Sequence, residues 1–139
     1  MENMGGKYAD INSLFVGLAR ACGIPAREMY GIRVADSRQF KSLGKHDGIS
    51  KAQHCRAEYF SPRYGWVPVD PKIKSLRAHL FGNWEMNWVS FNDARDFVLA
   101  PKARQALPYL MYPYAEFGDT VLDGRNPGDF NFNSEALTV

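Results

Sequence analysis

The sequence has 139 residues, and its 17 lysines and arginines nearly balance its 15 aspartates and glutamates, which gives a formal net charge of +2. Because 45% of the residues are hydrophobic and 14% are aromatic, the chain can form the core of one domain, which excludes a disordered tail or a disulfide-stapled mini-protein. The small net charge and the lack of a Lys/Arg cluster argue against nucleic acid or a membrane surface as partner. No apolar run approaches the roughly 20 residues of a membrane span.

The cysteines and histidines predict neither a disulfide framework nor a metal site. Cys22 and Cys55 are too few for a framework and do not form a C-x-x-C pair. His46 and His79 lie in polar or loop contexts, so no ligand cluster of known spacing results. We therefore expect no metal and no organic cofactor. The first ten residues lack the apolar region of a secretory signal, so the compartment stays unknown, with the cytoplasm as default.

Residues 9–21 are predicted to form a helix. Asp10 is interpreted as its N-cap, and Gly23, followed by Pro25, marks its end. One apolar stripe at helical spacing consists of Leu14, Phe15, Leu18, Ala21 and Cys22.

Three strands are predicted next, over residues 27–34, 53–60 and 65–69. The second and third are joined by the turn Ser61-Pro62-Arg63-Tyr64, which predicts a hairpin. Pro68 removes a backbone donor from the third strand, so this strand should lie at a sheet edge or contain a bulge.

The remaining segments are less regular. The polar stretch 36–50 is predicted to be a loop or flap of about fifteen residues, long enough to be functional. Residues 84–99 combine helical spacing of aromatic residues with strand-type composition, and we predict a strand. After Pro101 the tail is rich in Pro, Gly, Asn and Asp, and residues 107–112 are its only compact apolar piece. The whole pattern predicts an α+β fold, with the helix packed on an antiparallel sheet, in a single domain over residues 1–139.

His54 and Asp70 are the first candidates for chemistry, because they lie on or next to adjacent predicted strands. A neutral imidazole accepts a proton near neutral pH, and a carboxylate at its other nitrogen fixes tautomer and orientation. A hydrolase or acyltransferase also needs a nucleophile, which is best placed at a helix N-terminus. The helix start is present, but no cysteine stands there.

The chain resembles the transglutaminase-like superfamily of papain-fold cysteine enzymes, in its bacterial form. Members of that family read approximately G-x-C-x-D-x-x-x-L-F, L-x-R-A-x-G-I-P-A-R, a histidine strand, and G-W-V-P-V-D-P. The matching segments here are Gly6-Lys7-Tyr8-Ala9-Asp10, Leu14-Phe15, Leu18-Ala19-Arg20-Ala21-Cys22-Gly23-Ile24-Pro25-Ala26-Arg27, Gln53-His54-Cys55-Arg56-Ala57-Glu58 and Gly65-Trp66-Val67-Pro68-Val69-Asp70-Pro71. The resemblance covers residues 5–71, and residues 72–139 read as an extension.

The resemblance implies acyl transfer from, or hydrolysis of, an amide in a protein or peptide substrate. It assigns His54 as general base and Asp70 as the acid that orients it, and it places Tyr8 at the position of the nucleophilic cysteine. A phenol has a pKa of about 10, so at neutral pH Tyr8 is a poor substitute for a thiolate. We therefore expect the domain to be inactive or greatly weakened. The alternative is a pseudoenzyme that binds peptide or mediates assembly.

Two further expectations concern Cys55 and Glu58. Cys55 follows His54 directly on a strand, so its side chain should point to the opposite face and not replace the missing nucleophile. Glu58 shares the strand face of His54, and it is a candidate substrate-binding residue beside an equally plausible structural role.

The front of the domain gives an expectation about assembly. Relatives usually carry helices before the nucleophile, whereas seven residues precede Tyr8 here. Either the chain is a fragment or something else covers that surface. Our hypothesis is an apolar face, near Phe15, that is buried by self-association into a homo-oligomer.

Overall fold

A computed structural model of the chain describes residues 8–37, 49–71, 80–83, 87–93, 95–100 and 103–137. The elements in chain order are helix α1 (Tyr8–Ala21), strand β1 (Ala26–Arg33), a 3₁₀ turn (Ile49–Lys51), and strands β2 (Gln53–Ser61), β3 (Gly65–Val69), β4 (Trp88–Asn92), β5 (Ala115–Phe117) and β6 (Thr120–Leu122). The first sheet has the strand order β3-β2-β1-β4, and β5 and β6 form a separate two-stranded sheet. The predicted α+β class, with a helix on an antiparallel sheet, is confirmed.

The chain divides into two compact units. The first, the helical unit, contains residues 1–29 and 55–86, and the second, the C-terminal unit, contains residues 30–54 and 87–139. The chain passes from one unit to the other within β1 and within β2.

Helix α1 begins one residue earlier than predicted. Asp10 therefore lies in the first turn and is not the N-cap, although a carboxylate there still interacts favourably with the helix dipole. The predicted C-terminus is correct. Gly23 adopts a φ of 77°, its N–H donates to the carbonyl of Arg20, and the N–H of Ile24 donates to the carbonyl of Ala19, both at 2.9 Å. These two bonds are those of a Schellman motif, in which glycine tolerates the left-handed conformation.

The buried face of α1 matches the predicted apolar stripe only at Phe15, which is partly buried against the core of the helical unit. Val16 lies in the core of the helical unit and Asn12 is fully buried, whereas Leu14 and Leu18 are 63% and 60% exposed. Apolar spacing identified the helix but not which side packs on the sheet, because Asn12 is polar and buried. The exposed leucines form an apolar face on α1, and its burial by self-association stays a prediction.

The core of the helical unit lies between α1 and the sheet. Buried side chains from the helix and three strands pack together there: Val16, Ala26, Ala57 and Val69. Because this cluster joins α1 to β1, β2 and β3, it fixes the helix against the sheet surface.

The β2–β3 hairpin forms as predicted. Ala57 pairs with Val69 and Ser61 with Gly65 in antiparallel register, and the N–H of Tyr64 donates to the carbonyl of Ser61 across the turn. Pro68 lies on β3, which is at one end of the strand order, so its missing donor breaks no central ladder.

Strand β4 is shorter than the strand predicted over residues 84–99, and Trp84 lies outside the described residues. It pairs with β1, with an irregularity in register between Tyr30 and Gly31. A Cβ on Gly31 would lie 2.0 Å from the carbonyl oxygen of Val89, so only glycine fits at this close approach. Within the predicted loop 36–50, residues 38–48 lie outside the described residues.

The tail folds through individual contacts that periodicity does not reveal. Leu107 bridges to Phe97, and Tyr109 stacks on the fully buried Tyr30 with ring centroids 4.6 Å apart. The β5–β6 hairpin follows, in a part of the tail where no strand is predicted. The helix that the structure describes is too short to cross a membrane.

Candidate functional site

A buried polar contact connects the first turns of α1 to β2 in the helical unit. The side-chain amide of Asn12 donates to the carbonyl oxygen of Cys55 at 3.0 Å, and it lies 3.2 Å from the Cys55 sulfur. Asn12 is fully buried and Cys55 is 1% exposed. Because buried polar groups need hydrogen-bond partners, this bond holds the N-terminal half of α1 in place against β2.

Cys55 is held as a neutral thiol. Burial raises its pKa from 9.0 to about 11, the hydrogen bond from Asn12 opposes the shift, and the negative charges of Asp70 and Glu28 add to it. At neutral pH the thiolate fraction is therefore very small, and the thiolate is the reactive form of cysteine. Cys22, the other free cysteine, is exposed and follows the C-terminal end of α1.

The two predicted partners His54 and Asp70 are both buried, at 2% and 3% exposure. His54 is on β2 in the C-terminal unit, and its carbonyl accepts a 2.9 Å hydrogen bond from the indole nitrogen of Trp88. Asp70 directly follows β3 in the helical unit. Its negative charge contributes to the raised pKa of the buried Cys55 thiol in the same unit.

Tyr8 is the first residue of α1. The predicted nucleophile position therefore coincides with a helix N-terminus, where the partial positive charge of the dipole is largest. The side chain of Tyr8 lies outside the described part of the chain.

Glu58 forms an ion pair inside the helical unit. Its Oε2 lies 2.7 Å from Nε of Arg27, and the side chains are 11% and 30% exposed. The Arg27 guanidinium also lies over the ring of Trp66, 4.2 Å from the centroid, and Trp66 contacts Phe60 edge to face. Glu58 thus has a structural partner that the sequence did not identify, and its role toward a substrate stays a prediction.

Sequence reasoning missed two buried residues near these positions, Asn12 and Glu28. Asn12 lies four residues after Tyr8, so helical spacing predicts a shared face, but a polar residue is normally assigned to the solvent side. Within the described ranges, no three side chains of His, Cys, Asp or Glu converge in a group that could hold a metal ion.

Comparison with known proteins gives one family and one relative. The sequence model of the transglutaminase-like superfamily matches residues 1–71. An uncharacterized protein of Haemophilus influenzae is 41% identical over 156 aligned residues, which cover 92% of this chain and 42% of that protein. The chain therefore spans less than half the length of this curated relative. No solved structure matches the chain.

Proposed function

Because the chain belongs to the transglutaminase-like superfamily, we propose that residues 5–71 form an acyl-transfer or amide-hydrolysis site whose nucleophile has been replaced. The observation that carries the proposal is the start of α1 at Tyr8. A helix N-terminus is the place where a thiol would be activated, and a phenol occupies that position in the sequence.

We assign His54 as general base and Asp70 as the acid behind it. Both are buried, and they lie on or next to the paired strands β2 and β3. In a cysteine-bearing site, the thiol would give its proton to His54 while its sulfur attacks the amide carbon. His54 would return the proton to the leaving ammonia or amine. Water or a second amine would then resolve the thioester, and Asp70 would hold the imidazole in one tautomer throughout.

Tyr8 is a poor nucleophile in this scheme. Bringing a phenol from a pKa of about 10 to neutrality takes about 4 kcal/mol, whereas a helix terminus supplies at most about 2 kcal/mol. Its oxygen also lies several bonds further from the backbone than a cysteine sulfur. The acyl carbon would therefore be displaced from any hydrogen-bond donors positioned to stabilise the oxyanion. We therefore propose that acyl transfer is lost or greatly weakened.

Neither natural cysteine compensates for this loss. Cys55 is buried and protonated, with its pKa raised to about 11. Cys22 follows the C-terminal end of α1, where the helix dipole disfavours a thiolate.

The second candidate function is a pseudoenzyme that binds a peptide or mediates assembly. It is favoured by the combination of a buried His54 and Asp70 with a tyrosine at the nucleophile position. Under this function Glu58 would act through Arg27, which its carboxylate holds against Trp66.

The experiment compares the parent chain with Tyr8→Cys and Tyr8→Ser on glutamine-containing peptides, measured as released ammonia and as incorporated amine. We expect turnover only in Tyr8→Cys, and its loss in the double variants with His54→Asn or Asp70→Asn. Glu58→Gln in the Tyr8→Cys background should raise KM if Glu58 serves substrate binding.

The outcomes separate the candidates. Equal turnover of the parent and Tyr8→Cys would contradict the loss of the nucleophile, and a covalent adduct on Tyr8 found by mass spectrometry would identify a phenolate nucleophile instead. If Tyr8→Cys gains nothing while its unfolding curve matches that of the parent, the pseudoenzyme is favoured.

A further inference from the structure

The C-terminal unit contains a groove made of two adjoining pockets that the proposed chemistry does not use. The first, the apolar pocket, has a volume of about 350 Å³ and is lined by aliphatic and aromatic side chains, among them Ile32, Phe91, Leu99 and Leu110. The second, the basic pocket, has a volume of about 380 Å³ and contains Lys51 and Arg125. The pockets share three lining residues, Gln53, Tyr112 and Phe132, so they form one continuous surface.

We infer that this groove binds a peptide through a bulky apolar side chain and a neighbouring carboxylate. The apolar side chain would occupy the apolar pocket, and the carboxylate would face the basic pocket. Binding does not depend on turnover, so this inference stands whether or not the domain catalyses a reaction.

The charges that line the groove indicate that its ligand carries a carboxylate. Within the described part of the chain, the basic pocket is lined by two cations and no acidic side chain, and the apolar pocket is lined by no charged side chain at all. Arg125 is held by Asp123 at 2.9 Å, which fixes the guanidinium and neutralises part of its charge. Both cations are exposed, and because the charge of Arg125 is already partly neutralised, Lys51 is the cation better able to meet an anion.

The groove walls are anchored before any ligand arrives. The Asn92 side chain donates to the carbonyl of Leu110 at 2.6 Å, which ties one wall to β4. On the other side, the Ser50 hydroxyl donates to Asn133 Oδ1 at 2.7 Å and accepts from the N–H of Ser134, also at 2.7 Å. A preformed groove binds with less loss of conformational entropy than a mobile one.

Gln53 favours a peptide over other amphipathic anions. Its Nε2 donates to the carbonyl of Ser50 at 2.9 Å, which orients the amide at the junction of the pockets. The amide oxygen can then accept a hydrogen bond from a peptide N–H. A fatty acid has no such donor.

The test measures fluorescence anisotropy of labelled peptides bound to the full chain. The probe is Gly-Gly-Phe with a free C-terminal carboxylate, compared with its C-terminal amide, with Gly-Gly-Gly, and with amidated Gly-Gly-Phe-Glu. We expect the first probe to bind about tenfold more tightly than its amide or the glycine peptide. Tight binding of amidated Gly-Gly-Phe-Glu would identify an acidic side chain as the natural carboxylate, and weak binding would identify a peptide C-terminus.

Two charge reversals locate the site. Lys51→Glu should weaken binding of the carboxylate probe about fivefold or more and leave binding of the amide probe unchanged. Arg63→Glu, a matched reversal in the β2–β3 turn, should change neither. Phe132→Ala should weaken all phenylalanine probes alike, and thermal unfolding should show that each variant is folded.

Four results would overturn the inference. Three of them are equal binding of the phenylalanine and glycine probes, equal effects of Lys51→Glu and Arg63→Glu, and displacement of the probe by laurate at lower concentration than by unlabelled peptide. The last result would assign the groove to a free fatty acid. Absence of binding at millimolar peptide would also overturn it.

Discussion

The helical unit and the C-terminal unit are stabilised in different ways. In the helical unit, α1 packs on regular strands through the apolar cluster around Val16 and Ala57, and the β2–β3 register continues without a break. In the C-terminal unit, single polar side chains hold irregular segments in place: Asn92 connects one of them to β4, and Ser50 connects another to the 3₁₀ turn. Regular periodic structure therefore tolerates one altered contact better than a segment that depends on one or two hydrogen bonds.

The largest effect on stability is expected at Gly31, which follows the irregularity in the β1–β4 register between Tyr30 and Gly31. Gly31→Ala would place a Cβ 2.0 Å from the Val89 carbonyl oxygen and 2.8 Å from the Trp88 ring. The backbone oxygen cannot move without breaking the β1–β4 pairing, so we expect a loss of about 3 kcal/mol in the free energy of unfolding. Denaturant unfolding measures it.

Gly17→Ala is the matched control. Gly17 lies within α1 and has open space around its Cα, so alanine there should raise stability by about 0.5–1 kcal/mol. Equal effects of the two substitutions would contradict the close approach at Gly31.

Asn92→Ala tests the anchoring of the tail. Its amide donates to the Leu110 carbonyl and its Oδ1 accepts from the Leu110 N–H, so the substitution should cost about 2 kcal/mol. Hydrogen exchange should increase in residues 107–112 and stay unchanged in α1. Faster exchange in both units would show that the tail contributes to the helical unit as well.

The Cys55 thiol gives a smaller, pH-dependent effect. Its pKa rises from 9.0 to about 11 on folding, so the folded state keeps the proton more tightly than the unfolded state. The stabilisation is complete below about pH 9 and is lost as the pH rises through about 11, with a loss of about 1.4 kcal/mol by pH 10.

Unfolding of the parent and Cys55→Ala between pH 8 and pH 10.5 checks this sign. The difference in stability between the two should shrink as the pH rises. A constant difference in stability would mean that burial does not raise the pKa of the Cys55 thiol. Iodoacetamide labelling followed by mass spectrometry provides a second readout, because exposed Cys22 should react first.

The sequence predicts the regular elements well, because their signals are local. The glycine after α1, the turn at residues 61–64 and the proline on β3 each have one favoured conformation. The buried face of α1 was harder to predict, because Asn12 is buried through a bond to Cys55 that lies 43 residues away in the chain. The tail hairpin could not be predicted either, because its strands are three residues each, which is too short for alternation of apolar and polar residues to identify a strand.

The candidate site likewise contains positions that local motifs predict and contacts that they do not predict. The positions of Tyr8, His54 and Asp70 follow from motifs, and the family match confirms the domain to which those motifs belong. The ion pair of Glu58 with Arg27 depends on the register between β1 and β2, which no local pattern encodes. The proximity of His54 and Asp70 stays a prediction.

The most direct test of the central claim is the pH dependence of iodoacetamide labelling in Tyr8→Cys, carried out in a Cys22→Ser background. If residue 8 stands at a helix N-terminus beside a working histidine, the introduced thiol should react rapidly at pH 6, and His54→Asn should shift its pKa back toward about 8.5. An unshifted thiol whose reactivity is the same with and without His54 would contradict the account.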